Sequence, residues 1–147
     1  MEVKIYIQTN IRGPRAQTGK GIYLLEAMTS KGPATLDKTI EYEAETENGA
    51  EIKTILSAIK RLNQPCDVMV YTDTKYTASS YEQGWLARWL ANGWKNAKGE
   101  EIAHREEWQQ LYELFRVHRV KFSVSENHEY KDWMQRRIDR QKGAGNV

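Results

Sequence analysis

The spacing of the apolar residues changes partway along the chain, and this change restricts the possible folds more than any other feature. Residues 3–9 alternate between apolar and polar side chains, as a half-buried strand does. Two further strands are predicted at 21–28 and 34–43, separated by a Gly-Pro turn signal. Over residues 52–62 the apolar side chains follow the spacing of an amphipathic helix, which Pro65 prevents from continuing. The first half is therefore predicted to be a three-strand meander followed by a helix.

The second half alternates between strand and helix patterns. Residues 67–72 are short, apolar and β-branched, which is typical of a buried central strand. Helical spacing returns at 108–115, a last strand is predicted at 120–124, and a closing helix carries apolar residues from 130 to 138. The predicted order is βββ-α-β-α(α)-β-α. This order predicts an α/β fold in which helices flank a mixed five-stranded sheet.

Length and composition indicate an ordinary globular protein. The 147 residues fit a single domain over 1–147, with a frayed Gly-rich tail at 142–147. No apolar run approaches the length of a membrane span, so we expect no membrane partner. Cys66 is the single cysteine and the first residues do not resemble a signal segment, so we expect a reducing, cytoplasmic location. We also expect a monomer.

The net charge of +2 conceals an uneven distribution of charge. Basic residues concentrate in 10–20, 84–98 and 131–142, whereas glutamates concentrate in 41–51. A single basic run is usually a solvated face. Three such runs together with clustered aromatic residues favour a polyanionic partner.

Four side chains capable of binding a cation lie at predicted strand or helix ends. Gln8 ends the first strand, Asp73 follows the central strand, Glu51 shares a helix row with apolar residues, and Asp132 opens the last helix. If they converge, they could hold Mg²⁺, and two such ions roughly 4 Å apart can support phosphodiester cleavage. Alternatively, all three acids have structural roles: Glu51 and Asp132 interact with the dipoles of their helices at the N-termini, and Asp73 caps a helix. The spacing alone slightly favours this structural interpretation.

Longer motifs support the first interpretation. The runs Val70–Tyr76, Gly84–Trp89, Asn92–Lys98 and Glu107–Leu111 resemble the bacterial type of ribonuclease H, in which a strand ending in Thr-Asp-Ser precedes a Trp-rich basic protrusion. The resemblance extends from Val3 to about Arg140. It implies a ribonuclease H-like fold and an endoribonuclease that cuts the RNA strand of RNA–DNA hybrids with two Mg²⁺ or Mn²⁺ ions.

The resemblance also assigns roles to individual residues. Asp73 corresponds to the family's strand-end aspartate, Glu51 to its helix glutamate, and Asp132 to the aspartate of its final helix. His128 corresponds best to a histidine that handles a proton or releases product, although the loop before that helix is short and a capping role is the alternative. These residues and Gln8 form the predicted catalytic and metal-binding set.

Gln8 is the main departure from the family pattern. It stands where the family has a metal-bridging acid, and a carboxamide offers a neutral oxygen without a charge. An engineered replacement and a natural loss are both compatible with the sequence. In either case we expect this chain to cleave slowly or not at all, and an acid at position 8 to raise cleavage.

A hybrid is expected to be held through its backbones and 2′-hydroxyls rather than its base sequence. We expect Trp85 and Trp89 to pack within the protruding helix, and Trp94 to meet the DNA strand. The predicted nucleic-acid contacts are Asn10, Arg12, Thr46, Asn48, Lys75, Arg88, Trp94, Lys95 and Lys98.

Two hypotheses follow from the sequence. One is a metal-dependent ribonuclease H-type nuclease in which Gln8 impairs the site. The other is a non-catalytic hybrid-binding module that keeps the fold and the basic surface. A pure protein-interaction domain would leave the basic Trp-rich segment and the placed carboxylates unexplained.

Overall fold

The fold consists of one five-stranded sheet and five helices. The structure is a computed structural model that describes residues 1–125 and 127–144. Its elements in chain order are β1 (Glu2–Thr9), β2 (Gln17–Thr29), β3 (Gly32–Glu45), α1 (Glu47–Ile59), β4 (Asp67–Thr72), α2 (Tyr76–Glu82), α3 (Trp85–Ala91), α4 (Arg105–Val117), β5 (Arg119–Val124) and α5 (Lys131–Ala144). The predicted order of strands and helices is confirmed.

The sheet is mixed, and its strands lie in the order β3-β2-β1-β4-β5. The meander β1–β3 pairs antiparallel, while β4 runs parallel to both β1 and β5. This topology places the short, apolar β4 inside the sheet, as its composition predicts. The carboxyl ends of β1 and β4 therefore lie at the same edge.

Apolar cores lie on both faces of the sheet. On one face, α1 and α4 pack against it, and Ile5, Ile55 and Trp108 are fully buried there. On the other face, α5 covers β1 and β2 with Met134 and Ile138. Layers of helices on both sides bury the sheet and leave its edges to carry function.

A capping contact fixes the start of α1. The Thr46 hydroxyl accepts a hydrogen bond from the Gly49 N–H at 3.1 Å, so one of the helix's first backbone donors is satisfied. A Cβ at residue 49 would meet the Glu45 carboxylate and the His104 ring, so a larger residue there requires these side chains to move. This cap sets the position of Glu51 one turn later.

Two boundaries differ from the predicted ones. β2 begins at Gln17, within the segment predicted to be a basic loop, because Gln17 pairs with Glu45 of β3. The α5 backbone is helical as far as Ala144, and residues 145–147 of the predicted frayed tail lie outside the described residues. In the described part of the chain, no helix is both long and apolar enough to cross a membrane.

Candidate active site and nucleic-acid interface

Gln8 and Asp73 end neighbouring parallel strands. Tyr6 of β1 pairs with Tyr71 of β4, and Gln8 and Asp73 each follow two residues later. Gln8 is buried, with 3% of its surface exposed. Within the described residues, its Oε1 atom has no hydrogen-bond partner. The sheet edge therefore holds a buried amide oxygen beside an aspartate, as strand parallelism requires.

Glu51 approaches this edge from α1. Its side chain is 2% exposed, and its Oε1 accepts a hydrogen bond from the Thr77 N–H at 3.4 Å. Burial raises the pKa of Glu51 to about 8, and the negative charges of Asp73 and Glu47 contribute to this shift. The Glu51 carboxyl is consequently mostly protonated at neutral pH.

Asp73 is paired with an arginine of the β1–β2 loop. Arg12 Nη2 donates to Asp73 Oδ2 at 2.9 Å. The Asp73 side chain is 23% exposed and that of Arg12 is 52% exposed, so this contact is open to solvent. Arg12, predicted as a nucleic-acid contact, thus also neutralises a predicted metal ligand.

The donor atoms fit a hard divalent cation by type. Gln8 Oε1 and Glu51 Oε2 are buried acceptors that lack a partner among the described residues, and Asp73 adds a carboxylate. All three offer oxygen, which Mg²⁺ and Mn²⁺ prefer. However, across 1–125 and 127–144 no three acidic, histidine or cysteine side chains are placed to hold a metal ion. Gln8 accounts for part of this, because it occupies an acid's place in the set with an amide.

Asp132 and His128 lie at the start of α5. Asp132 is exposed in the first helical turn and does not complete a three-acid cluster within the described chain. The His128 Nδ1 accepts the Tyr130 N–H at 3.1 Å, and its ring packs on Tyr6 at 4.7 Å between centroids. Burial and the nearby Lys131 lower the pKa of His128. These surroundings favour the neutral form of the His128 ring.

Four of the residues predicted to contact the nucleic-acid backbone near the site divide into two groups. Asn10 and Thr46 already accept hydrogen bonds within the protein, Asn10 Oδ1 from the Lys20 N–H at 2.7 Å and Thr46 as the α1 cap. Asn48 and Lys75 are exposed near Glu51 and Asp73 respectively. The first two shape the site, whereas the latter pair is open to a ligand.

The basic Trp-rich segment forms a protrusion with a groove. Gly84, at φ +73°, separates α2 from α3, and the groove of about 570 Å³ is lined by Trp85, Arg88, Trp89 and Lys95. Arg88, Lys95 and Lys98 are exposed. Of these, Arg88 and Lys95 line the groove, which also includes the acidic Glu101.

Trp94, predicted to meet nucleic acid, is buried. Trp94 is only 8% exposed and packs edge-on against Tyr112 in the main core. Trp85 contacts Trp89 at 6.0 Å between ring centroids, as expected for packing within the helix, and it also has 36% of its surface exposed. Trp89 is half-buried and contacts Trp108, as expected for a packing residue.

Sequence reasoning missed the contacts that hold the β1–β2 loop. The Gly13 N–H donates to Glu47 Oε1 at 2.8 Å, and the Glu47 N–H donates to the Gly13 carbonyl at 3.1 Å. Glu47 belongs to the glutamate-rich stretch, which as a composition feature gave no sign of this role. The Gly-Pro pair at 13–14 was the available signal for a fixed turn.

Comparisons with known proteins identify a matching family and similar sequences. The RNase H family matches residues 3–140. The ribonuclease H of Chlorobaculum parvum is 32% identical over 126 residues, which are 86% of this chain and 83% of that protein. The ribonuclease H of Caldicellulosiruptor saccharolyticus is 40% identical over 86 residues, covering 58% of this chain and 59% of that protein.

Solved structures share the fold at low identity. A type 1 RNase H with the type 2 active-site motif superimposes with a TM-score of 0.77 at 19% identity, covering 97% of this chain and 72% of the other. A foamy viral protease-reverse transcriptase in complex with RNA/DNA hybrid gives 0.69 at 18% identity, covering 99% of this chain and 20% of that protein. With the family match over nearly the whole chain, these likenesses lead to one assignment: the chain belongs to the RNase H family.

Proposed function

We propose that the chain acts on RNA–DNA hybrids as a bacterial-type ribonuclease H, hydrolysing the RNA strand, and that Gln8 slows this hydrolysis. The observation that carries the proposal is the group of Gln8, Glu51 and Asp73 at one sheet edge, with buried acceptor atoms left unpartnered within the described chain. Family members generally use divalent metals. Two Mg²⁺ or Mn²⁺ ions, when bound, would stabilise the attacking and leaving oxygens of the phosphodiester.

In this proposal each residue has a distinct task. Glu51 and Asp73 would supply carboxylate oxygens to the cation, and Asp132 would be the third acid of the set. Gln8 supplies a neutral oxygen where a charged one is needed. His128 accepts or returns a proton, and its lowered pKa favours the neutral ring that can act as a base.

The hybrid would be held mainly by charge. Arg88, Lys95 and Lys98 would contact phosphates of the DNA strand, and Trp85 offers an open aromatic surface at the same groove. Asn48 and Lys75 are exposed nearer to Glu51 and Asp73, where the RNA backbone would lie. Contacts of this kind give weak sequence preference and a salt-dependent affinity.

A cleavage assay on end-labelled RNA–DNA hybrid tests the proposal. At protein-like dielectric, a unit charge about 4 Å from an ion contributes about 4 kcal/mol or less. We therefore expect Gln8→Glu or Gln8→Asp to raise the Mg²⁺-dependent cleavage rate by up to about a thousandfold. Gln83→Glu is the matched control, because Gln83 is exposed at the end of α2. Equal rates in the parent and both position-8 variants would refute the impairment by Gln8.

A second candidate is a hybrid-binding module without catalysis. It is favoured by the absence, within 1–125 and 127–144, of three acidic, histidine or cysteine side chains placed to hold a metal. Calorimetric titration with Mg²⁺ or Mn²⁺, with and without hybrid, separates the two candidates. The nuclease requires a metal site that forms with substrate, whereas the module binds hybrid without taking up metal.

A further inference from the structure

Arg12 is anchored to the protein by three acceptors. Its Nη1 donates to the Thr9 hydroxyl at 3.0 Å and to the Ile11 carbonyl at 2.9 Å, while Nη2 donates to Asp73 at 2.9 Å. The first two contacts are to the last residue of β1 and to the loop that follows it, and the third joins residues 61 positions apart in sequence. The guanidinium is thus directed at the sheet edge by its own loop.

The backbone around Arg12 is fixed as well. The Arg12 carbonyl accepts from Gln17 Nε2 at 2.7 Å. Next to it, Gly13 adopts φ +89° and exchanges two hydrogen bonds with Glu47 of α1. Because α1 also carries Glu51, the loop and the Glu51 carboxylate are held by the same helix. A typical surface ion pair contributes little to stability because ordering two long side chains costs entropy. Here the hydrogen bonds of Arg12 to β1 and its own loop already hold its side chain in place.

The charges at the edge nearly cancel. Gln8 carries none, and the charge of Arg12 offsets that of Asp73. A divalent ion that binds Asp73 would have to displace the Arg12 guanidinium or bind a few ångströms from its positive charge. Either outcome weakens binding of the ion. A neutral residue at position 8 and a cation on Asp73 both act against metal binding.

We propose that the Arg12 guanidinium is the resident cation of Asp73 and competes with divalent ions for it, so that the free protein binds Mg²⁺ and Mn²⁺ weakly. This inference rests on the proposed function only in taking Asp73 as a residue of the cleavage site. It concerns metal affinity and is independent of whether the chain cleaves a hybrid.

Calorimetric titration with Mn²⁺, without nucleic acid, tests the proposal. Arg12→Gln removes the charge and should tighten Mn²⁺ binding roughly tenfold. Arg15→Gln is the matched control, because it makes the same change at an exposed position of the same loop. Equal Mn²⁺ affinities for Arg12→Gln and Arg15→Gln would overturn the proposal.

A double-mutant cycle identifies the site of competition. In an Asp73→Asn background, Arg12→Gln should bring no gain in Mn²⁺ affinity, because the contested carboxylate is gone. A full tenfold gain in that background would overturn the proposal, since it would reveal only a general charge effect. Thermal melting checks that each variant folds. Arg12→Lys, which keeps the charge but cannot match three acceptors, should fall between the parent and Arg12→Gln.

The two proposals fail separately. If Gln8→Glu restores no cleavage while Arg12→Gln still tightens Mn²⁺ binding through Asp73, the proposed nuclease function fails and the role of Arg12 stands. If cleavage is restored while Arg12→Gln leaves Mn²⁺ affinity unchanged, the role of Arg12 fails alone.

Discussion

Replacing Glu51 by glutamine should change how the stability of the fold depends on pH. The pKa of Glu51 in the folded protein is about 8, whereas a glutamate in an unfolded chain titrates near about 4.3. Between these values the unfolded state has released the proton and the folded state has kept it. The free energy of unfolding therefore falls as pH rises through this window.

The size of the effect follows from the pKa of this carboxyl. Each pH unit inside the window costs about 1.4 kcal/mol, so the complete penalty of ionising the buried group approaches about 5 kcal/mol. Between about pH 5 and pH 8, the Glu51 contribution should fall by about 3 kcal/mol. The glutamine of the Glu51→Gln variant does not titrate, and its amide oxygen can still accept the Thr77 N–H.

The assay is urea unfolding at several pH values in buffer containing a chelator. The difference in unfolding free energy, Glu51→Gln minus parent, should grow by about 3 kcal/mol from about pH 5 to pH 8. Glu43→Gln is the matched control, because Glu43 is an exposed carboxylate of β3 and its difference from the parent should stay flat. Parallel pH profiles for Glu51→Gln and the parent would refute the reasoning that burial holds this carboxyl in its neutral form.

Three further predictions concern the core, the α1 cap and the basic protrusion. Trp94→Ala should lower the free energy of unfolding by about 3–5 kcal/mol, because it empties a core position. Trp85→Ala should change the free energy of unfolding by about 1 kcal/mol or less and should weaken hybrid binding. Chemical denaturation measures the stability and fluorescence anisotropy measures the binding. Weaker hybrid binding by Trp94→Ala and unchanged binding by Trp85→Ala would instead identify Trp94 as the binding residue. Thr46→Ala should cost about 1 kcal/mol in the same unfolding assay through loss of the Gly49 contact, and an unchanged midpoint would contradict the capping role. A Lys95→Ala/Lys98→Ala variant should reduce the slope of log affinity for hybrid against log salt by up to about 2, whereas an unchanged slope would remove both lysines from the interface.

The order of strands and helices was predictable because the spacing of apolar residues that distinguishes a strand from a helix is visible within each short segment. The strand predicted at 67–72 is found at Asp67–Thr72, where a β-branched run is bounded by polar residues. The start of β2 was missed because residues 17–20 are polar and include a glycine. Their strand conformation depends on pairing with β3, which lies more than twenty residues later. Local sequence carries no direct record of such pairing.

The positions of site residues were predictable only for residues that lie at the ends of predicted strands and helices. Asp73 and Gln8 reach one edge because β1 and β4 are parallel, and that arrangement follows from the element order. The Arg12–Asp73 contact depends on the loop conformation set by Gly13 and Glu47, which spacing does not reveal. The burial of Trp94 was not predicted, because neighbouring tryptophans look alike in sequence while their burial is decided by tertiary packing.

Three features of the edge act in the same direction. Gln8 removes a negative charge, Arg12 adds a positive one beside Asp73, and burial keeps Glu51 mostly protonated at neutral pH. Each lowers the negative charge that a divalent ion needs, so correcting one should recover only part of the metal affinity. We expect Mn²⁺ affinity to rise from the parent to either Gln8→Glu or Arg12→Gln, and to be highest in the double variant. Calorimetry with all four proteins measures this order. A double variant no tighter than Gln8→Glu alone would mean that the acid at position 8 by itself displaces Arg12 from Asp73.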